Sequence, residues 1–141
     1  MTTLFPSITE FARLEVLDRG VPNKERIAFR AETTVDTGRF ALVLAARVPG
    51  TALVMTLPDS SLWLGSKTLS ENDWVMMYTG AGTAKTLPPA GGYGSVHIGY
   101  WGKDTTVLHD PNVVPVIWRL SGILIPEMPV ALPQSRQIER K

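Results

Sequence analysis

The chain has 141 residues, 14 Lys and Arg against 13 Asp and Glu, and no cysteine. That length makes one domain, able to bury a core without staples. The missing cysteines exclude a disulfide framework and thiolate zinc sites, and a net charge of +1 offers no general pull toward nucleic acid or a membrane surface. No apolar run reaches the length of a membrane span. The opening residues Met1 to Pro6 lack the basic flank and apolar core of a signal peptide. The expected location is therefore the cytoplasm, and then a particle assembled there.

Ser7-Ile8-Thr9-Glu10 has the form of a capping box. It predicts a short helix near residues 8–12, although Ala12, Leu14 and Val16 also alternate as a strand would. A loop follows from Arg19 to Lys24. From Arg26 to Val35 the pattern has period two, with Ile27, Phe29, Ala31, Thr33 and Val35 on one face. That is a half-buried strand.

Phe40 to Leu57 is the stretch around which the chain is organised. Two apolar runs flank Val48-Pro49-Gly50-Thr51, where proline presets φ and glycine supplies the positive φ of a type II turn. The first run is so apolar that both its faces must be covered, which makes it a central strand. Leu57 to Ser61 is expected to end the hairpin, and Leu62 to Leu64 to form a short strand.

Trp74 to Tyr78 and Ser95 to Trp101 read as strands. Between them, residues 79–94 contain five glycines and two prolines and predict a long irregular loop. Val113 to Ile125 is apolar and β-branched, with Pro115 arguing for a sheet edge or bulge. After Pro126 the prolines recur every three or four residues, so 126–141 is expected to be an extended arm. The fold class is thus all-β, a single antiparallel β-sandwich or barrel of about seven to nine strands over 1–125. One short N-terminal helix and a C-terminal arm complete it.

The candidates for chemistry fail their tests. Tyr78 to Thr86 ends in Lys85-Thr86 like a phosphate-binding loop. Thr79 and Ala84 stand at its two glycine positions, and Leu87-Pro88-Pro89 follows where a helix must start. His97 and His109 have no zinc-type spacing around them, and a Ser95–His97 pair lacks a nucleophile elbow and a third group. Asp59, Glu71, Asp73, Asp104 and Asp110 all fall in turns, where such side chains bond their own backbone. The basic end, Arg136, Arg140 and Lys141, has no aromatic interleaving.

Residues 10–39 hold twelve charged side chains, but residues 40–100 hold six: Arg47, Asp59, Lys67, Glu71, Asp73 and Lys85. So few charges imply that part of this region faces another chain, because charge is depleted at the centre of interfaces. The expectation is a non-catalytic structural protein, a homo-oligomer in contact with other subunits, such as a bacteriophage head-decoration or tail protein. It needs no cofactor and no metal. The interface candidates are Tyr93, Tyr100 and Trp101 in the body, with Pro126, Met128, Pro129, Val130 and Leu132 in the arm. The alternative is a carbohydrate-binding module using exposed tryptophan or tyrosine and the 79–94 loop.

Overall fold

A computed structural model describes residues 7–51 and 54–127. Ten strands and a single 3-10 turn make up its regular structure. They are β1 (Phe11–Leu17), β2 (Arg26–Ala31), β3 (Val35–Asp36), β4 (Phe40–Arg47), β5 (Val54–Trp63), β6 (Thr68–Leu69), β7 (Trp74–Tyr78), β8 (Lys85–Leu87), β9 (Val96–Tyr100) and β10 (Val113–Arg119). A five-stranded sheet has the order β1-β2-β7-β9-β8, a three-stranded sheet the order β10-β4-β5, and β3 pairs with β6.

The all-β class stands, with two corrections. There is no α-helix among the described residues. The segment from Phe11 is β1, and its pairing with β2 shifts between Ala12 and Glu15, where Arg13 takes φ 58°. This bulge puts Arg13 and Leu14 opposite Phe29 alone, so Phe11 and Val16 pair with the inward Ala31 and Ile27 despite an odd spacing. Nor is the arrangement a closed, wholly antiparallel barrel, because β7 and β9 are parallel neighbours.

That parallel pair explains the long connection. Parallel strands cannot be joined by a tight turn; the chain must return to the starting end. Residues 79–95 make this return, and on the way Lys85–Leu87 pairs antiparallel to the far side of β9. The loop predicted to be structureless therefore contains a strand and an Ala90–Tyr93 bridge.

The central strand is as expected. From Phe40 to Ala45 every residue of β4 is buried, between β10 and β5. The turn forms as read: Thr51 N donates to Val48 O at 3.2 Å, with Gly50 at φ +76°. Pro115 lies on β10, an edge strand of its sheet. The supposed hairpin terminator is different. Val43 pairs with Ser61 and Ala45 with Thr56, so residues 57–60 bulge from one continuous β5. Asp59 there takes φ 51°, and Lys103 Nζ donates to its carbonyl at 2.7 Å.

One hydrophobic cluster draws on both large sheets: Phe11, Ile27, Phe29, Ala31 and Val75 from the first, Phe40, Leu42 and Leu44 from the second. Phe11 meets both Phe29 and Phe40 edge-to-face, at ring distances of 5.0 and 4.8 Å. Such aromatic contacts add to the area each ring removes from water.

Candidate interaction surface

Alternation along β4 decides what the three-stranded sheet shows outside. Phe40, Leu42 and Leu44 enter the core, so Ala41, Val43 and Ala45 point the other way. The register sets Trp63 and Trp118 either side of Ala41, Ser61 and Val116 either side of Val43, and Thr56 and Val114 either side of Ala45. None of these nine positions carries a charge. Two strand spacings, roughly 10 Å, separate the tryptophan backbones. The indoles are 51% and 48% exposed, whereas the small residues between them are buried. Trp63 Nε1 donates to Gly38 O at 2.8 Å, which fixes that ring against the 3-10 turn. The result is an uncharged floor between two aromatic walls.

Around Trp118 this face turns into a groove of about 990 Å³ between β1 and β10. Ile8, Phe11 and Leu14 line one side of it, and Ile117, Trp118 and Leu120 the other. The outer edge of β1 and that of β10 are both unpaired among the described residues. Arg119 Nη2 donates to Glu10 Oε1 at 2.7 Å and ties the two strands together at one point. That hydrogen bond holds the Glu10 carboxyl below its ordinary range.

Among the described residues, those singled out in the sequence do not converge. Tyr100 stacks face to face on Tyr78 at 5.3 Å, on the outer side of the five-stranded sheet. Trp101, the next residue, packs against the core, with Lys103 Nζ 5.6 Å from its ring centre. One ring of that pair thus faces in and one out, as strand geometry requires. Tyr93 is exposed beside a smaller groove that it lines with Trp74, Leu87 and Pro88. Pro126 is exposed in a segment without regular structure. Met128, Pro129, Val130 and Leu132 lie outside the described residues. Trp63 and Trp118 were legible only as two of four tryptophans, because the strand register that pairs them around Ala41 is not written locally.

Two polar clusters brace this scaffold. Asp73 accepts from Ser70 N and Ser95 N, each at 3.0 Å, and its Oδ2 lies 3.0 Å from His97 Nε2. An ionised carboxylate can only accept, so Nε2 carries the proton. His97 Nδ1 then faces Thr86 Oγ1 at 3.4 Å, and Lys67 Nζ donates to that hydroxyl at 2.9 Å. A carboxylate, an imidazole and a hydroxyl in series have the connectivity of a hydrolase triad. Lys67 takes one lone pair of the hydroxyl and leaves its proton free for Nδ1, but neither groove is lined by these residues. The chain of contacts links Lys67, just before β6, with β8 and β9 to the turn before β7.

The second cluster is built on Glu25, which is 1% exposed. Its carboxylate accepts from Gly20 N, Leu108 N, Val107 N and the Thr79 hydroxyl, at 2.6 to 3.0 Å. Beside it, Arg19 Nη1 donates to the carbonyls of Leu108, Asp110 and Val113. Together they tie the 18–25 loop to the irregular 101–112 segment that leads into β10.

Gly94 sits where the Asp73 turn passes closest. A Cβ added there would lie 2.6 Å from Asn72 O and from Asp73 Oδ1. Gly94→Ala is therefore expected to lower stability by about 1–3 kcal/mol through overpacking, measured as a drop in the thermal midpoint.

No helix among the described residues is long and apolar enough to cross a membrane. No group of three or more His, Asp or Glu able to hold a metal ion occurs among them. No protein-family model matches the chain, and neither the curated proteins nor the solved structures contain a match.

Proposed function

We propose that this protein is a non-catalytic assembly subunit that associates with copies of itself through the outer face of its three-stranded sheet. Its two large sheets act as the layers of a sandwich, a rigid body carrying that face. The observation behind the reading is the run of nine uncharged positions floored by Ala41, Val43 and Ala45 and walled by Trp63 and Trp118. Half-exposed tryptophans around small buried residues are the composition of an interface centre, where aromatic side chains are enriched and charges depleted. A second copy fits the face because a twofold axis brings the same uncharged patch of both copies together. The absence of cysteine and the neutral charge balance suit a component built in a reducing compartment and packed among like subunits. The class favoured is a small virion component, a bacteriophage head-decoration or tail protein.

The same tryptophan pair favours a second reading, a carbohydrate-binding module with Tyr93 and the 79–94 loop as further contacts. Sugar recognition also needs hydrogen-bonding groups beside the rings; among the positions flanking the floor, Ser61 and Thr56 are the hydroxyl-bearing ones.

Light scattering after gel filtration separates the two. The wild-type chain is expected to run as a dimer or larger, and Val116→Lys, which puts a charge on the face, to weaken association at least tenfold with an unchanged circular dichroism spectrum. A strictly monomeric wild type that is retarded by soluble polysaccharide in native gels would overturn the assembly reading in favour of the sugar-binding one.

A further inference from the structure

We infer that the groove between β1 and β10 is the receptor for the Ile123–Ile125 segment of a second copy. This rests on the reading of the chain as a self-associating subunit, and it adds a second contact to that assembly.

The argument starts at the groove's lip. Leu120 and Ser121 line its end. The chain then leaves the body as Gly122-Ile123-Leu124-Ile125-Pro126, with no regular structure. Ile123, Leu124 and Ile125 are 52%, 96% and 70% exposed, the most exposed run of large apolar side chains among the described residues. A few residues away, the groove exposes Ile8, Leu14, Ile117 and Trp118, apolar side chains with room beside them. The segment points its own side chains into water while departing from a site of matching chemistry. A copy related by a twofold axis resolves both exposures at once, because each segment enters the groove its partner's segment has just left.

Backbone chemistry agrees. The five residues 117–121 all line the groove in succession, so it runs along the outer edge of β10. That edge has no strand partner among the described residues. An incoming extended segment can pair with such an edge and set alternate side chains into the pocket. Pro126 lacks an N–H and would end the pairing after Ile125. Glu127 follows, and Arg39 stands on the groove wall to meet it. On the opposite side, the Arg13–Leu14 bulge of β1 sets Leu14 into the groove and stops β1 itself from presenting a straight edge. Trp118 belongs both to this groove and to the uncharged face, so the two contacts are continuous.

The chain has no cysteine, so a site-specific cross-link gives an unambiguous test. Leu14→Cys is made in one tagged population and Leu124→Cys in an untagged one; both positions are exposed enough to tolerate the change. The two are mixed, oxidised gently, and resolved on a denaturing gel, with Thr33→Cys replacing Leu14→Cys as the control. The expected result is a mixed disulfide dimer at least tenfold more abundant than in the control. Light scattering is run on the same samples. Association without the 14–124 cross-link overturns the groove assignment and leaves the assembly reading standing. A monomer at every concentration overturns both. A 14–124 disulfide formed within one chain, in the double variant, shows that the groove takes its own segment and equally overturns the exchange.

Discussion

Replacing Glu25 with alanine is expected to lower the free energy of unfolding by about 3–5 kcal/mol, a large share of what a domain of this size has. The carboxylate is buried and accepts four hydrogen bonds, three of them from backbone N–H groups of Gly20, Val107 and Leu108. Without it, those donors and the Thr79 hydroxyl lose their common acceptor. Each buried donor left unmade costs about 1–3 kcal/mol, and water entering the vacated space recovers part of the total. Glu25→Gln should also destabilise, since its amide turns donors toward donors. Urea unfolding followed by tryptophan fluorescence measures both.

The same site sets the response to acid. Burial raises the Glu25 pKa, but the Thr79 hydroxyl and the N–H groups of Val107, Gly20 and Leu108 outweigh it, and the net value falls below 4.5. Asp73 behaves alike: burial opposes, while His97 and the N–H groups of Ser70 and Ser95 bring it below 3.8. Carboxylates with a depressed folded pKa contribute fully above their unfolded values, and lose that contribution as pH falls through the folded ones. Stability is therefore expected to be flat in these terms above about pH 5 and to decline below it. Glu25→Ala should remove part of that decline, visible as a shallower dependence of the urea midpoint on pH.

Phe40→Ala is expected to cost about 3–5 kcal/mol. The ring is 1% exposed and stands edge-on to Phe11, which in turn meets Phe29. These three rings join β4 to β1 and β2, so the deletion opens a cavity where the two large sheets meet. Trp118→Ala removes a larger side chain, but one that is 48% exposed on the outer face. It should change monomer stability by less than about 1 kcal/mol and act mainly on association. The contrast between the two substitutions separates what holds the fold from what the fold displays.

Much of this was legible locally. The period-two pattern at Ile27, Phe29 and Ala31, the unbroken apolar run of β4 and the Pro49-Gly50 turn each carry their structure in neighbouring residues. The N-terminal segment did not, because one inserted residue at Arg13–Leu14 breaks the alternation and leaves Ile8, Phe11 and Leu14 at helical spacing. Leu57 to Ser61 looked like an ending for a similar reason: a four-residue bulge has the composition of a turn. The glycine-rich loop gained its purpose only from the parallel β7–β9 pair, which no local signal announces. The proposed contact face follows the same logic. The scarcity of charge between residues 40 and 100 is met in part by β4, whose first six residues are all buried. Which aromatic rings stand outside depends on cross-strand register, so local sequence points to Tyr100 and Trp101 and not to Trp63 and Trp118.

Whether another copy covers the Trp63–Trp118 face can be read from iodide quenching of tryptophan fluorescence over a dilution series. If the face is an interface, quenching should be weak in concentrated protein and rise on dilution as the two indoles return to water. The rise should vanish when both Trp63 and Trp118 are replaced by phenylalanine. Quenching that stays constant across the series, with a monomeric mass throughout, would contradict the account.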